Sequence, residues 1–352
     1  MPVSATPTVT LADVAAHLGV SRTTVSNAYN RPGQLSPKLR EKVLAAAADL
    51  GYAGPDPMAR GLRSGRAGSL GLVFDAPLSY AFTDPAATLF LKGMAAGLEE
   101  HGAALSIIPR MPEGAERSAA LVRSALVDGY MLFCTSADDP RYAAVRSRGL
   151  PFVLVEYEDD PTAAHVQIDD VAGAEAAARH LVDLGHRRVA IVSGYQTGVV
   201  TGPEAQGSSP WRVQSGRLAG WRAGLEAGGI DWGEVLVSGA GGSDAAGGSR
   251  AAAALLDRAD RPTAILALSD LQAVGVLRAA AERGIDVPGE LSVVGFDDIP
   301  QAAAAGLTTV SQPHAEKGRA AVRLLVSGAD PADSVLLPCH LVVRASTGPA
   351  TH

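Results

Sequence analysis

The histidines and cysteines, which often perform catalysis or bind metals, are scattered in this 352-residue sequence. None of its eight histidines stands in an HExxH motif or another spacing typical of metal ligands, and no Gly-x-Ser-x-Gly motif is present. Cys134 and Cys339 are too few for a disulfide scaffold or a four-cysteine metal site. We therefore expect no catalytic residue, no metal and no cofactor, and a protein that is not an enzyme.

A glycine-rich stretch, GAGGSDAAGG at residues 239–248, lies between a predicted strand and a predicted helix. Its composition suggests a phosphate-binding loop only superficially, because it fits neither the GxGxxG pattern nor the P-loop and contains no lysine. We interpret this stretch as a flexible surface loop.

A different chemistry is indicated near the start of the chain, where Ala15, Gly19 and Val25 occur at offsets of 0, 4 and 10. The small alanine lets two helices approach, the glycine can adopt the left-handed conformation of a turn, and the valine packs the second helix onto the first. This spacing is typical of a helix-turn-helix, whose second helix can enter the major groove of DNA. An ordinary helical hairpin is the alternative.

The elements that must position this motif are three short helices within residues 10–50. Each is preceded by a residue that commonly begins a helix. The predicted starts are Thr10 with Asp13 as its capping partner, Ser21, and Ser36 followed by Pro37. Residues 53–68 are rich in Gly, Pro and Arg, and they are predicted to form a linker with one short helix at about 57–63.

From residue 69 onward, short apolar runs alternate with amphipathic stretches, which predicts parallel strands joined by helices. Eight such runs could close a barrel. Their irregular spacing, together with an apparent crossing segment at 157–169, favours two doubly wound lobes with a ligand cleft between them. The tail at 335–345 is predicted to add further strand. The eight runs are 69–74, 104–108, 130–134, 152–156, 188–193, 235–238, 264–268 and 292–296.

The net charge of −7 argues against a nucleic-acid partner, but the charge is unevenly distributed. Residues 1–66 carry eight Lys or Arg and four Asp or Glu, a balance of +4, which leaves −11 for the remaining 286 residues. A basic head on an acidic body suggests an anionic partner at one end only. The chain shows neither a secretion-signal pattern nor an apolar run approaching 18 residues, so we expect a cytoplasmic protein with no membrane partner.

Six segments between Val9 and about Ser346 carry motifs that occur together in one known family. In the first part of the chain they are VTLADVAAHLGVSRTTVSNAYN, LSPKLREKVLAAAADLGY and ARGLRSGRAGSLGLVF. Later in the chain they are HLVDLGHRRVAIVSG, AILALSDLQAVGVLRAAAERGIDVPGELSVVGFDDIP and LTTVSQP. Together they resemble the lactose-repressor (LacI/GalR) family of transcriptional regulators. The resemblance implies an all-α helix-turn-helix domain at 8–54, a hinge at 55–67, and a periplasmic-binding-protein-like α/β core of two parallel-sheet lobes at 68–352.

The resemblance also implies which residues contact double-stranded DNA. Base contacts are expected from Arg22, Thr23 and Asn27, and phosphate contacts from Thr10, Ser21, Thr24 and Asn30. In the hinge, Ala59 and Leu62 match the residues that enter the minor groove and open a base step. The hinge departs from the family pattern in two ways: the lead-in at 51–57 is one residue longer than usual, and Gly61 weakens a helix.

For the core, the resemblance implies an effector cleft lined by acids, an arginine and an amide, which could bind a carbohydrate through paired hydrogen bonds. Two alternatives are open: Arg217 could be a surface residue, and Asp270 and Asp298 could cap helices. The stretch 195–213 aligns poorly with the family pattern. The expected effector contacts are Tyr80, Phe82, Asp84, Glu156, Arg217, Ser269, Asp297 and Gln312.

These implications lead to one main hypothesis and two alternatives. The main hypothesis is a nucleoid-associated repressor that pairs as a homodimer on a pseudo-palindromic operator and responds to a small effector. A dimer is expected because the sequence ends without a heptad tail. The alternatives are a solute-binding protein and a sugar-modifying enzyme, each carrying a helical head.

Overall fold

The computed structural model describes residues 9–54, 65–111, 114–157, 160–194, 197–207 and 211–351. The chain divides into two compact units, Met1–Gly68 and Ser69–His352, which we call the head and the core. Ala59 and Leu62, the expected minor-groove contacts, lie outside the described residues.

The described part of the head contains the three predicted helices, and its small core joins all of them. Thr10 begins the first helix by donating from its backbone N–H and its hydroxyl to the Asp13 carboxylate, at 2.8 and 2.7 Å. Gly19, with a φ of +67°, makes the turn to the second helix. The helices are α1 (Leu11–Leu18), α2 (Arg22–Asn30) and α3 (Pro37–Asp49), and their buried side chains are Val14, Ala15, Val25, Ala28, Val43 and Ala47.

The first lobe of the core is built on a six-stranded parallel sheet with the strand order β12-β5-β4-β3-β1-β2. Its strands are β1 (Ser69–Phe74), β2 (Ala104–Ile108), β3 (Tyr130–Phe133), β4 (Phe152–Val155), β5 (Ala164–Ile168) and β12 (Val335–Leu337). Its helices are α4 (Leu78–Thr83), α5 (Pro85–His101), α6 (Ala115–Ser124), α7 (Pro140–Arg148) and α14 (His314–Ser327).

The second lobe is built on a seven-stranded sheet with the order β13-β11-β10-β9-β6-β8-β7, in which β7 and β13 run antiparallel to their neighbours. Its strands are β6 (Val189–Ser193), β7 (Thr197–Thr201), β8 (Leu236–Ala240), β9 (Ala264–Ala267), β10 (Ser292–Asp297), β11 (Thr308–Ser311) and β13 (His340–Val342). Its helices are α8 (Asp170–Asp183), α9 (Gly202–Gly207), α10 (Arg212–Ala227), α11 (Ala245–Leu256), α12 (Asp270–Glu282) and α13 (Pro300–Ala304).

The two-lobed architecture agrees with the expected fold, whereas three of its strands were not predicted. The stretch 157–169 is not only a crossing segment, because β5 occupies most of its second half. The poorly aligned stretch 195–213 contains β7, which was not predicted. The strand β11 was not predicted either. These strands contain Thr, His and Gln, and so they do not form apolar runs. In β11 the buried threonine at position 309 is accommodated by donating its hydroxyl to Asp270 at 2.5 Å.

The chain passes between the lobes three times. It leaves the first lobe after β5 at Asp169, returns after β11 through Gln312 and Pro313, and leaves again between β12 and β13. The first and third crossings are joined by a hydrogen bond from the Asp169 N–H to the Leu337 carbonyl at 2.9 Å. The crossings hold the carboxyl ends of both sheets next to a shared cavity, as is usual for doubly wound folds.

Glycines allow paired helices of the core to touch through their backbones. A Cβ atom at Gly220 of α10 would collide with the Val171 carbonyl of α8, and one at Gly93 of α5 would collide with the Ala315 carbonyl of α14. Gly248 of α11 meets Gln272 of α12 in the same way. The interpretation of residues 239–248 as a flexible surface loop is therefore wrong at both ends of the stretch. Residues 239–240 end β8, and residues 245–248 begin α11, where glycine permits the close approach.

Candidate functional sites in the head and the core

The outer side of α2 begins with two exposed polar residues, Arg22 and Thr23. Ser21 starts the helix, since its Oγ accepts a hydrogen bond from the Thr24 backbone N–H at 3.0 Å and lies 2.9 Å from the Thr24 hydroxyl. This cap satisfies a backbone N–H group that the first helical turn would otherwise leave open. It also fixes the end of α2 from which Arg22 and Thr23 project.

Two other expected DNA contacts on α2 are asparagines with local partners. Asn27 donates to the Gln34 side-chain oxygen at 3.1 Å. Asn30 donates to the Ser26 carbonyl at 3.1 Å, which holds its amide against its own helix. The Asn30 amide also donates to the Ser26 hydroxyl at 3.2 Å, so a contact between this amide and a DNA phosphate would have to replace one of the two bonds.

Positive charge on the head is available to an anionic partner. Arg22, Arg31, Lys38 and Lys42 are all exposed to solvent. Arg40 is also exposed, but its Nε donates to the Ala28 carbonyl at 3.2 Å. Exposed cations of this kind can neutralise phosphates, which supplies affinity for DNA without sequence information.

The core contains a cavity of about 970 Å³ between its two lobes, at the carboxyl ends of the parallel strands. This volume lies in the range of pockets that bind small molecules. Seven of the eight expected effector contacts line it, and the fold brings them together from distant parts of the chain. These seven are Tyr80, Asp84, Glu156, Arg217, Ser269, Asp297 and Gln312.

Phe82 is the exception and requires a correction. Its side chain is 64% exposed, and it does not line the cavity. Phe82 lies in α4 together with Tyr80. Residues two positions apart on a helix point about 200° apart around its axis. Because Tyr80 faces the cavity, Phe82 faces the opposite side.

Arg217 is held rigidly at the cavity wall and is only 4% exposed. Its Nε donates to Asp170 Oδ1 at 2.9 Å, one terminal nitrogen donates to the Leu268 carbonyl, and the other lies 3.6 Å from Asp297 Oδ1. The guanidinium also stacks over the Phe296 ring, 3.6 Å from its centroid. The alternative of a surface arginine is therefore excluded.

Asp297 ends β10 in a conformation that is unusual for a residue with a side chain, with a φ of +124°. Its Oδ1 accepts a hydrogen bond from the Gln312 amide at 2.6 Å. Burial raises the pKa of Asp297 to about 8, because the opposing effect of Arg217 is smaller and the Asp270 carboxylate acts in the same direction as burial. The cavity thus presents a carboxyl group that holds its proton in a neutral solution.

We expect the free energy of unfolding to fall between pH 6.5 and pH 8, and to fall less in Asp297→Asn. The folded carboxyl keeps its proton up to about pH 8, whereas an unfolded aspartate releases it near its ordinary value of 3.8. The folded state therefore binds more protons in this window and loses stability as the pH rises. The difference should be on the order of 1 kcal/mol.

Urea unfolding at the two pH values would measure this effect. Burial lowers the pKa of His314 to about 3, so its contribution to stability rises slightly from pH 6.5, where an unfolded histidine is still half protonated. This opposite slope is shared by the wild type and Asp297→Asn, so it cancels when the two are compared. The window lies above the pKa of about 6 to which burial raises Asp170 and Asp270. Equal pH slopes in the wild type and Asp297→Asn would contradict the assignment.

Ser269 and Asp270 have different roles although they are adjacent. Ser269 lines the cavity and begins α12, where its Oγ accepts from the Gln272 N–H at 3.3 Å. Asp270 is fully buried and accepts from the Ile299 N–H at 3.0 Å as well as from the Thr309 hydroxyl. Asp270 therefore joins α12 to two neighbouring segments of the second lobe.

Lys317 is the most notable cavity residue that the sequence analysis did not predict. It lies on α14, is 3% exposed, and donates to Glu156 Oε1 at 2.9 Å and to Gln312 Oε1 at 2.7 Å. A signal was present, since the lysine stands three and four residues before the buried Ala320 and Ala321, on the apolar side of the helix. Other charged or titratable lining residues that were not predicted are Asp75, Arg110, Cys134, Arg212, Asp244 and His314.

The head and the core together define a class of protein, a helix-turn-helix DNA-binding unit attached to a ligand-binding α/β sensor. Comparison with family models agrees with both parts. Residues 10–54 match the model of bacterial regulatory proteins of the lacI family, and residues 178–347 match a periplasmic binding protein-like domain.

Individual relatives extend the match to nearly the whole chain. The HTH-type transcriptional regulator Rv3575c of Mycobacterium tuberculosis is 41% identical over 327 residues, which cover 90% of each chain. The chain therefore belongs to the lacI family of transcriptional regulators. A CelR–cellobiose complex is similar in structure, with a TM-score of 0.70 and 31% identity over 96% of this chain and 99% of the other. A lac repressor dimer bound to operator and an anti-inducer has a TM-score of 0.79 and 27% identity over 97% and 99%.

Within the described residues, the longest helices are too short or too polar to cross a lipid bilayer.

Proposed function

We propose that this protein is a sequence-specific transcriptional repressor whose affinity for its operator is controlled by a small carbohydrate effector bound between the lobes of the core. One observation carries the proposal: a helix-turn-helix with Arg22 and Thr23 exposed at the start of α2 shares its chain with a cavity lined by charged and polar groups. The chain also belongs to a family of transcriptional regulators, which supports DNA binding by the helix-turn-helix and effector binding by the cavity.

On the DNA side, α2 lies in the major groove with Arg22, Thr23 and Asn27 against base edges. An arginine can bond to both acceptors of a guanine, which is worth about 1–3 kcal/mol of discrimination. Thr10, Ser21, Thr24 and Asn30 contact phosphates and set the register. We assign 8–54 to DNA binding, 55–67 to a hinge that inserts Ala59 and Leu62 into the minor groove, and 68–352 to effector binding and dimerisation.

On the effector side, the contacts come from Tyr80, Asp84, Glu156, Arg217, Ser269, Asp297 and Gln312. Carboxylates, a hydroxyl and an amide around one cavity supply donors and acceptors that suit a polyhydroxy compound. Solved relatives are described in complex with cellobiose and with ribose, which supports a carbohydrate here. A coupling of about 1–3 kcal/mol between the two sites is typical of such control.

We further propose that the protein acts in the cytoplasm as a homodimer and has no enzymatic activity. The dimer is supported by the lac repressor dimer among the structural relatives. Two copies place two recognition helices about one helical turn of DNA apart, which predicts a pseudo-palindromic operator. The regulator names of the relatives support a role without catalysis.

Replacing Arg22 with Ala tests the DNA-binding assignment. Affinity for a preferred duplex, selected from a random pool by the wild type, is expected to fall about 5- to 150-fold, because a bidentate base contact worth about 1–3 kcal/mol is lost. Affinity for random DNA should change much less, since that binding comes from phosphate contacts. Fluorescence anisotropy at fixed salt measures both affinities.

Arg278→Ala is the matched control, since Arg278 is an exposed arginine of the core that pairs with Glu282 on its own helix. It should bind DNA like the wild type. If the wild type selects no sequence from the pool, or if Arg22→Ala weakens binding to selected and random duplexes equally, base reading by Arg22 is refuted.

A further inference from the structure

Lys317 and Glu156 form a buried ion pair in the wall of the cavity. Their side chains are 4% and 2% exposed, and Lys317 Nζ lies 2.9 Å from Glu156 Oε1. The pair joins separate elements, because Glu156 directly follows β4 and Lys317 lies on α14. A second N–H of Lys317 donates a hydrogen bond to Gln312 Oε1 at 2.7 Å. Among the described residues, Lys317 has no third acceptor, so one N–H of the ammonium group remains for a ligand.

Glu156 offers the complementary group. Its Oε2 is buried and has no hydrogen-bond partner among the residues that the structure describes, although Glu156 lines the cavity. Buried carboxylate oxygens are rarely left without a partner, so this one points to a missing donor. Glu156 also has a φ of +52°, which costs free energy for a residue with a side chain. The chain thus holds an acceptor and a donor side by side in the cavity wall.

The charges around the cavity limit which ligands can supply a donor to Glu156 and an acceptor to Lys317. Each cation of the described lining has a carboxylate within 4 Å. Arg110 lies 3.6 Å from Asp75, and Lys317 pairs with Glu156. Arg212 and Arg217 share Asp170, at 3.4 and 2.9 Å. These four cations share the described lining with five acidic residues, of which Asp297 holds its proton, so the cavity has no surplus of positive charge to attract a phosphate or carboxylate on the ligand. Such a group would also be repelled by the remaining acids, which include Asp84 and Asp244.

We propose, on the basis of the proposed function, that the Glu156–Lys317 pair is a specificity element that selects a neutral polyhydroxy effector and rejects phosphorylated and carboxylated ones. A ligand hydroxyl accepts the third N–H of Lys317 through its oxygen and donates its hydrogen to Glu156 Oε2. A hydroxyl is the small neutral group that can both accept and donate at one atom. A ligand without it leaves both charged groups unsatisfied in a buried site.

The test uses the full-length protein and two sets of probes. D-ribose, D-glucose and cellobiose form the neutral set, and D-ribose 5-phosphate, D-glucose 6-phosphate and D-gluconate form the anionic set. Thermal shift ranks them, since a ligand that binds only the folded state raises the melting midpoint. Calorimetry then gives the Kd of the strongest neutral probe for the wild type, Glu156→Gln, Lys317→Met and the double variant.

The double variant is included because a single substitution leaves one buried charge without its partner, whereas removal of both charges is often tolerated. We expect the neutral probe to bind at least tenfold more tightly than any anionic probe. We expect its Kd to rise at least tenfold in the folded double variant and to stay within twofold in Lys92→Met, a control at an exposed lysine of α5.

The proposal is overturned if an anionic probe binds as tightly as the best neutral one, if no neutral probe binds, or if the double variant keeps its affinity. DNA binding by the same preparations separates this result from the proposed function. A protein that selects a duplex but prefers an anionic ligand remains a regulator with a different specificity. A protein that binds sugars but selects no duplex refutes the proposed function itself.

Discussion

Removal of residues 1–66 is expected to abolish DNA binding while the remaining chain stays folded and keeps its ligand cavity. The core is a compact unit from Ser69 onward, with four hydrophobic clusters that include no residue of the head. The truncated chain also loses the basic balance of +4 and retains −11, so the phosphate backbone repels it. Fluorescence anisotropy with the selected duplex should therefore show no binding at any salt concentration at which the full chain binds.

The same truncated protein should give the same melting shift as the full chain with the strongest neutral sugar. This second measurement is the control, because it shows that the cavity has survived the deletion. A truncated chain that still binds the selected duplex would place the DNA site in the core. That result would favour a different class of protein over the regulator proposed here.

Replacing Arg217 with Met is expected to lower the free energy of unfolding of the core by about 3–5 kcal/mol, because it leaves a buried acid without its main partner. The side chain of Asp170 is 1% exposed, and among the described residues Arg212, at 3.4 Å, is the ion-pair partner that it would retain. The substitution also removes a donor to the Leu268 carbonyl and a cation above the Phe296 ring. Urea denaturation with the full chain measures the change.

Arg278→Met provides the comparison, since that arginine is 72% exposed on its side chain and pairs with Glu282 on the same helix. An exposed pair of this kind contributes about 0.3–0.5 kcal/mol. A loss below 1 kcal/mol in Arg217→Met would show that the network around Asp170 reorganises without it. Binding of the neutral sugar should fall in Arg217→Met under conditions where the variant is still folded, and stay unchanged in Arg278→Met.

Features encoded by short spacings were predictable from the sequence. The helix-turn-helix follows from Ala15, Gly19 and Val25, and the caps at Ser21 and Ser36 lie where they were expected, because these signals involve neighbours within a few residues. The eight apolar runs all correspond to strands. The seven cavity residues were placed by resemblance to a family, since their positions alone span more than two hundred residues of the chain.

What escaped prediction depends on partners that are distant in the sequence. The position of Lys317 on the apolar side of α14 is a local signal of burial, but its ion-pair partner Glu156 lies 161 residues away, and no local pattern predicts that pair. Phe82 was misplaced because it lies on a six-residue helix, where residues two positions apart, such as Tyr80 and Phe82, face nearly opposite sides. The contact roles of the head residues stay predictions, because a hydrogen bond such as that of Asn30 to Ser26 does not reveal what DNA would meet.

The glycine contacts between paired helices have a mechanical consequence. Where α8 meets α10, α5 meets α14 and α11 meets α12 through backbone atoms, few side-chain rotamers are available to absorb a displacement. When a bound ligand displaces one helix of a pair, both helices and the sheet that they cover therefore move together as a rigid body. Changes in backbone conformation are then concentrated in the three crossings, at Asp169, at Gln312–Pro313 and between β12 and β13. These crossings act as hinges and set the axis about which the two lobes rotate.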